Sequence, residues 1–278
     1  MDACQIIQPS ALLAPYVKQY WFLTFDNVAR ASQRLIPAGN VMLNFHRGNP
    51  VYSSAHNGIQ PRASLNGQLT IYTDFVYEGH VDFIGVVFRS VGAMACFNFP
   101  MHELNNRNID IESLSDPQLV ELEKNLTDIT NNKKCVELIE TFLIKRICRY
   151  DNYNQKRLMT VIHSIDFGKR DIQVMAQTAC LSYKQFKRIF TEYIGVNPKD
   201  YLRIFRFQRA LRILQVQPNI TLEKLAEHCG YYDRSHFIKE MKLLMGYSPK
   251  EFLSVGDLYD ELLLDFRSTM IDPLPLQT

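Results

Sequence analysis

Val174-Met-Ala176-Gln-Thr-Ala-Cys180, followed by Phe186, Phe190, Gly195, Pro198 and Tyr201, is echoed by Lys224-Leu-Ala226-Glu-His-Cys-Gly230, followed by Phe237, Met241, Gly246, Pro249 and Phe252. The offset is 50 residues at the two alanines and 51 from Ser182 and Asp233 onward. The slip of one residue therefore falls in the turn between a first and a second helix and leaves both helices intact. A short helix, a tight turn and a second helix make a helix-turn-helix unit. Two such units in one chain predict a protein that touches two successive stretches of DNA groove.

In the first unit Ser182 is the expected N-cap, and Phe186, Ile189, Phe190 and Tyr193 recur at helical spacing as a face to be buried. The opposite side holds Lys184, Lys187, Arg188 and Thr191, which suits either a solvated face or a helix projecting its cations into a major groove. In the second unit Asp233 takes the capping position, and Phe237, Met241 and Leu244 take the buried face. Ser235, Ile238, Lys239 and Lys242 stand where the first unit has its outer residues, and Arg234 lies in the first turn. An isoleucine on that outer face points to a groove, where it meets a thymine methyl. Arg188 and Lys239 are the favoured base contacts, with Ser182, Lys184, Lys187, Thr191, Arg234, Ser235, Ile238 and Lys242 completing the candidate DNA-binding set. Between the units, a continuous helix is expected from Pro198 to about Val216, spanning roughly 28 Å at ~1.5 Å per residue. That suits two recognition helices about one turn of DNA apart, roughly 34 Å. Arg203, Arg206, Arg209 and Arg212 recur along it, to contact phosphates or to snorkel along an ordinary surface. Asn197-Pro198 and Ser248-Pro249 repeat one helix-start signal, and helices opening near Asp171 and Thr221 would turn backbone N–H groups toward phosphates.

Charge marks the same boundary as the repeat. The 278-residue chain carries +2 overall, yet residues 153–253 hold 17 Lys and Arg against 9 Asp and Glu, which leaves the remainder net acidic. A basic segment joined to an acidic remainder is the electrostatic footprint of a nucleic-acid domain coupled to something else. The apolar content is that of a globular protein of about two domains. No segment is long and apolar enough to span a bilayer, and the start lacks the features of a secretory signal, so a cytoplasmic protein is expected. Cys4, Cys96, Cys135, Cys148, Cys180 and Cys229 are scattered without a C-x-x-C pair, which predicts reduced thiols and neither a zinc site nor a disulfide framework.

Residues 1 to about 110 read as short strands, at Tyr20–Phe25, Val41–Phe45, Gln68–Tyr72 and Phe83–Phe88. The turns between them are expected at Pro37–Gly39, Arg47–Pro50, His56–Gly58, Asn66–Gly67 and Glu78–Gly79. A small sandwich or barrel follows from that spacing. From Asp116 to about Tyr150 the pattern becomes helical, with Leu119, Leu122, Leu126 and Ile129 on one stripe and Cys135, Leu138, Ile139, Phe142 and Leu143 on another, separated by Asn131-Asn132. This helical hairpin serves either as a coupling or dimer surface or as core. Asp151–Asn154 reads as a linker, Leu158, Val161, Ile162 and Ile165 as the face of a helix that Gly168 ends, and the segment from Asp257 as a short helix and a frayed end.

Several ordered positions together resemble the DNA-binding domain of the AraC/XylS family of bacterial transcription regulators. They are Ala176, Cys180, Ser182, Phe186, Arg188, Phe190, Gly195, Pro198 and Tyr201-Leu202, then Arg206, Ala210 and Leu214. Leu225-Ala226, Gly230-Tyr231, Asp233, Ser235, Phe237, Gly246, Pro249 and Phe252 continue the pattern, which covers roughly residues 155–253. The sequence departs from it at Cys180, where glycine is common, at Met241 for the usual phenylalanine, and at Ile238 and Glu240 for polar or basic residues. The resemblance implies an N-terminal sensing or dimerisation domain, often cupin-like, and activation of transcription through RNA polymerase. The run from Leu65-Asn-Gly67 through Ile84–Arg89, Gly92 and Glu103–Asn106 also resembles the N-terminal domain of one branch of these regulators.

The expected architecture is α+β in two domains: residues 1–114 a β-rich, cupin-like barrel or sandwich, 115–150 a helical hairpin, 151–255 an all-α double helix-turn-helix domain with a long connecting helix, and 256–278 a tail. The expected function is a homodimeric, sequence-specific DNA-binding regulator acting as an activator, tuned by a small molecule or partner, with no catalytic site, cofactor or metal. One alternative makes the N-terminal domain a ligand-free scaffold, because Tyr20, Trp21, Phe22, Phe45, Tyr72, Phe83 and Phe88 line a pocket or fill a core equally well. A remoter one is a metal-dependent cupin enzyme using His46, His56, His80 and Glu78, although these lack an H-x-H cluster.

Overall fold

The structure is a computed structural model that describes residues 3–54, 58–147, 153–165 and 171–252. The chain divides into an N-terminal antiparallel sheet domain and a C-terminal helical region. The strands are β1 (Ala3–Ile7), β2 (Val17–Leu35), β3 (Met42–His46), β4 (Tyr52–Ser53), β5 (Gly58–Ile59), β6 (Ala63–Asn66), β7 (Thr73–Phe88) and β8 (Asn108–Asp110). They run in the order β1-β2-β7-β3-β6-β8, with β4 pairing β5 and β7. The expected segments at Tyr20, Val41 and Phe83 lie in or at the edge of β2, β3 and β7. Alternation sorts their side chains onto two faces. Tyr20, Phe22, Leu43, Phe45, Leu65, Ile84, Val86 and Phe88 enter the main core, and Trp21, Leu23, Phe83 and Val87 cluster on the other face.

Two expectations fail here for identifiable reasons. Glu78-Gly79 is no turn, because Gly79 lies inside β7 opposite Val28, where the pairing slips and Asn27 is also left-handed. The positive φ of 78° at Gly79 is absorbed as a bulge, and the long β2–β7 ribbon bends without ending. Gln68–Tyr72 is no strand. Gly67 is pressed so close to the Leu104 backbone that a side chain has no room, and the chain leaves the sheet there. The connection is held by Asn106, whose amide accepts from Thr70 N at 2.7 Å and donates to Thr70 Oγ1 at 2.7 Å.

The helices are α1 (Gly92–Phe97), α2 (Pro117–Thr127), α3 (Asn132–Ile147), α4 (Tyr153–His163), α5 (Ile172–Thr178), α6 (Tyr183–Ile194), α7 (Pro198–Val216), α8 (Leu222–His228) and α9 (Arg234–Met245). Asp116 caps α2 through Leu119 N at 3.2 Å and holds Arg146 of α3 at 2.7 Å. Leu119, Leu122, Leu126, Cys135, Ile139, Phe142 and Leu143 are all buried in the main core, so the hairpin is core. Tyr153 and Asn154, read as linker, open α4; the rest of that linker, the stop at Gly168 and the tail from Asp257 lie outside the described residues. No helix among the described residues is long and apolar enough to cross a membrane.

The main core does not stop at the sheet. It runs through Leu158 and Val161 of α4, Met175 of α5, Phe186, Phe190 and Tyr193 of α6, and Tyr201 of α7. A second core gathers Phe207, Leu211 and Leu214 of α7 with Leu225, Tyr231, Phe237, Met241 and Leu244, and the sheet domain reaches it through Ile36. The first helix pair is therefore fused to the sheet domain, whereas the second has a core of its own.

Candidate nucleic-acid interface

The two helix pairs are built alike from the backbone upward. Asp171 caps α5 through Gln173 N, and Thr221 caps α8 through Lys224 N. Leu181 N then donates to Ala176 O at 3.0 Å, and Tyr231 N to Ala226 O at 2.9 Å, closing the same turn in both copies. Cys180 and Gly230 occupy equivalent left-handed positions, with φ of 53° and 72°. The cysteine that stands where glycine is usual thus keeps the glycine backbone, at a strain of about 1–2 kcal/mol.

The extra residue of the second copy is Tyr232. One residue, Leu181, separates the turn from the cap in the first pair, and two, Tyr231 and Tyr232, do so in the second. Tyr231 turns inward onto Phe237, with ring centroids 5.1 Å apart, while Tyr232 is 92% exposed at the mouth of α9.

Ser182 caps α6 in a full capping box with Gln185, and Asp233 caps α9 by accepting from His236 N at 2.7 Å. Gly195 and Gly246 end them in the left-handed region. Phe186, Ile189, Phe190 and Tyr193 are buried on α6, and Phe237, Met241 and Leu244 on α9, as the spacing predicts. Lys184, Lys187 and Arg188 are exposed together on the outer face of α6, with Thr191 half-buried and bonded back to Lys187 O. Lys187 Nζ stands 5.7 Å over the ring of Tyr183, an exposed aromatic at the first position of α6 that spacing alone did not single out. On α9, Arg234, Ser235, Lys239 and Lys242 are exposed.

Three readings of individual side chains change. Ile238 is half-buried against the second core, so packing accounts for its apolar character. Arg234 is held by Glu223 of α8 at 2.8 Å, which turns its guanidinium toward the first helix of its own pair. The α7 arginines are half-buried, and two of them act as struts. Arg203 pairs with Glu240 of α9 at 2.5 Å, and Arg206 donates to Gly230 O at 3.2 Å beside the Tyr231 ring. Glu240, a departure from the family pattern, is explained by that pair.

The histidines weighed for a metal are apart in role. His46 packs on Phe83, and burial pushes its pKa down to about 4; His80 Nδ1 contacts Asp26 at 2.7 Å. His56 lies outside the described residues. Among the described residues no three His, Cys, Asp or Glu side chains gather around a point where an ion would sit. Burial raises the Cys229 thiol to about 11 and the Cys96 thiol to about 12, as inert interior thiols.

Residues 175–254 match the family described as a helix-turn-helix domain, and residues 5–110 match a domain family of unknown function, DUF6597. The C-terminal segment is thus a helix-turn-helix domain. The chain is 29% identical over 102 residues to the uncharacterized HTH-type transcriptional regulator YidL of Escherichia coli K12, covering 37% of this chain and 34% of that one. Across the curated relatives it matches, it spans between 23% and 41% of their length. Among solved structures it is similar to an AraC-type regulator from Chromobacterium violaceum, at 24% identity, TM-score 0.34, and coverage of 36% of this chain and 92% of that one. It is also similar to ToxT of Vibrio cholerae, at 11% identity, TM-score 0.45, and coverage of 85% and 97%.

Proposed function

We propose that the chain is a sequence-specific transcription regulator that grips duplex DNA with two helix-turn-helix units, α5–α6 and α8–α9, spaced by α7. The observation that carries this reading is the same construction made twice: a capped helix whose apolar face is buried and whose outer face exposes Lys184, Lys187 and Arg188 in one copy and Ser235, Lys239 and Lys242 in the other. Arg188 and Lys239 read bases; Ser182, Lys184, Lys187, Thr191, Ser235 and Lys242 line the same approach. Tyr232 joins them, because an aromatic hydroxyl projecting beside a recognition helix suits a phosphate or a base edge. Arg234 acts at the rim, held by Glu223, and Ile238 supports α9 from beneath.

The protein works in the cytoplasm as a homodimer and activates transcription through RNA polymerase, with residues 1–114 as a cupin-like regulatory domain and residues 115–150 tying it to the DNA-binding part. A small molecule or a protein partner acting on that regulatory domain sets the activity. The alternative of a ligand-free scaffold draws support from the aromatic side chains, since Tyr20, Phe22, Phe45 and Phe88 fill the main core and Trp21 and Phe83 the second face. A thermal-shift screen of the full chain against metabolites separates the two: stabilisation by a metabolite marks a sensor, and none across the screen marks a scaffold. DNA binding itself is tested by genome-wide mapping of bound DNA, where enrichment of one bipartite motif supports the reading and uniform coverage refutes it.

A further inference from the structure

The carbonyls that end the two recognition helices, Ile194 O on α6 and Met245 O on α9, are equivalent positions of the repeat, each followed by a left-handed glycine. Both are held by the sheet domain, and from one place. Gln68, fully buried, donates its Nε2 to Ile194 O at 2.7 Å. Arg34 Nη1 approaches Met245 O at 3.4 Å, with its guanidinium between the rings of Tyr72 and Tyr247, at 4.2 and 4.5 Å from their centroids. Gln68 and Tyr72 belong to the same connection, residues 67–72, between β6 and β7.

That connection is cross-braced. Asn106 is bonded to Thr70 through both ends of its amide, Asn106 N donates to Gln68 O at 3.0 Å, and Gly67 N donates to Arg107 O at 3.0 Å. Asp74 fixes Arg34 with two contacts, to Nε at 2.7 Å and Nη2 at 2.9 Å. Both helix ends also sit too close for slack: a side chain at Gly195 would meet Met101 O at 3.0 Å, and one at Gly246 would strike Arg34 and Tyr72. A cation or amide donor is the group a helix C-terminus favours, because its last carbonyls carry the negative end of the dipole.

We propose that residues 67–72, with Arg34, are a clamp that sets the separation and angle of the two recognition helices, so that the sheet domain dictates the spacing between the DNA elements the chain reads. The division of the cores says why a clamp is required. The first pair shares its core with the sheet, whereas the second has its own and is tied back by α7, by Ile36, by Gln208 Nε2 bonded to Pro37 O, and by Arg34. Movement of the β6–β7 connection by anything bound to the sheet domain thus reaches α6 and α9 at matching points.

The conformational part of the proposal stands apart from DNA, and its consequence for spacing rests on the function proposed above. Nitroxides placed at positions 187 and 242 of the full chain, by incorporated unnatural amino acids, report the α6–α9 distance by double electron–electron resonance. A single narrow distribution is expected in the native chain, broadened at least about twofold in Arg34→Met, which keeps the stem between the rings but removes the donors, and in Gln68→Met. Circular dichroism selects the variants that remain folded. Native width in every folded variant overturns the clamp.

In a second arm, each chain selects from a random duplex pool. The native chain should enrich two elements at one spacing, and the variants the same elements over several spacings. A single shared spacing overturns the clamp's role in recognition, whereas no enrichment by the native chain overturns DNA reading and leaves the distance measurement to decide the clamp.

Discussion

Lys18 should make the fold more stable as the solution becomes more alkaline. It lies in β2, 8% exposed, and its pKa is pushed from the ordinary 10.5 down to about 7, first by burial and then by the neighbouring charges of Arg89 and of Arg212 on α7. Between those two values the unfolded chain holds the proton that the folded chain has released, so stability rises with pH across the window. With these pKa values the chain gains about 2 kcal/mol between roughly pH 6 and pH 8.5. Lys18→Met keeps the stem and deletes the ionisable group, and should remove that slope while stabilising the chain most at the acidic end. Urea unfolding of native and Lys18→Met chains at both pH values measures it, and taking the difference between chains cancels every other titrating group. The window stays below the pKa values of about 11 and 12 at Cys229 and Cys96. A difference that stays constant from pH 6 to 8.5 would falsify the idea that this ammonium is held against its will.

The other predictions concern the two helix pairs and the sheet. Arg188→Ala and Lys239→Ala should each weaken binding to a selected site by about 1–3 kcal/mol while barely changing binding to random DNA; titrations on both duplexes check this, and equal losses on both would demote them to phosphate contacts. Phe237→Ala removes a fully buried ring from the second core and should cost about 3–5 kcal/mol. Hydrogen exchange should show protection lost in α8 and α9 but kept in α6, since the first pair draws on the main core; loss in both would mean that the cores are one. His46 is neutral when buried, with its pKa down at about 4. The stability it preserves is complete above the unfolded value near 6.5 and declines as pH falls toward 4, by up to about 3 kcal/mol. A His46→Phe chain should lose less between those pH values, as denaturant midpoints would reveal.

Much of the C-terminal architecture was legible because its signals are local. A cap such as Ser182 or Asn197, a stripe such as Phe186, Ile189, Phe190 and Tyr193, and glycines at Gly195 and Gly246 all act within one or two turns, so spacing along the chain is spacing in space. The sheet domain was read less well for the complementary reason. Gly79 looked like a turn because its conformation is a turn's, yet only the partner strand carrying Asn27 and Val28 determines that the ribbon bends there and continues. Leu69-Thr-Ile71 has strand-like composition, but the Leu104 backbone against Gly67 takes the chain out of the sheet.

The site shows the same division. The repeat by itself determined that two similar helix pairs exist, which side of each second helix is buried, and, through its slip of one residue, that the second turn holds one more residue than the first. Only the tertiary structure decided that this residue is an outward Tyr232, that Ile238 is packed instead of offered, and that Arg203 and Arg234 are committed to Glu240 and Glu223. It also decided that Gln68 and Arg34, more than a hundred residues away, hold the equivalent ends of α6 and α9. Periodicity encodes which face of a helix is apolar, but the partner that covers a face or answers a charge comes from another part of the chain, and no spacing within the helix records it.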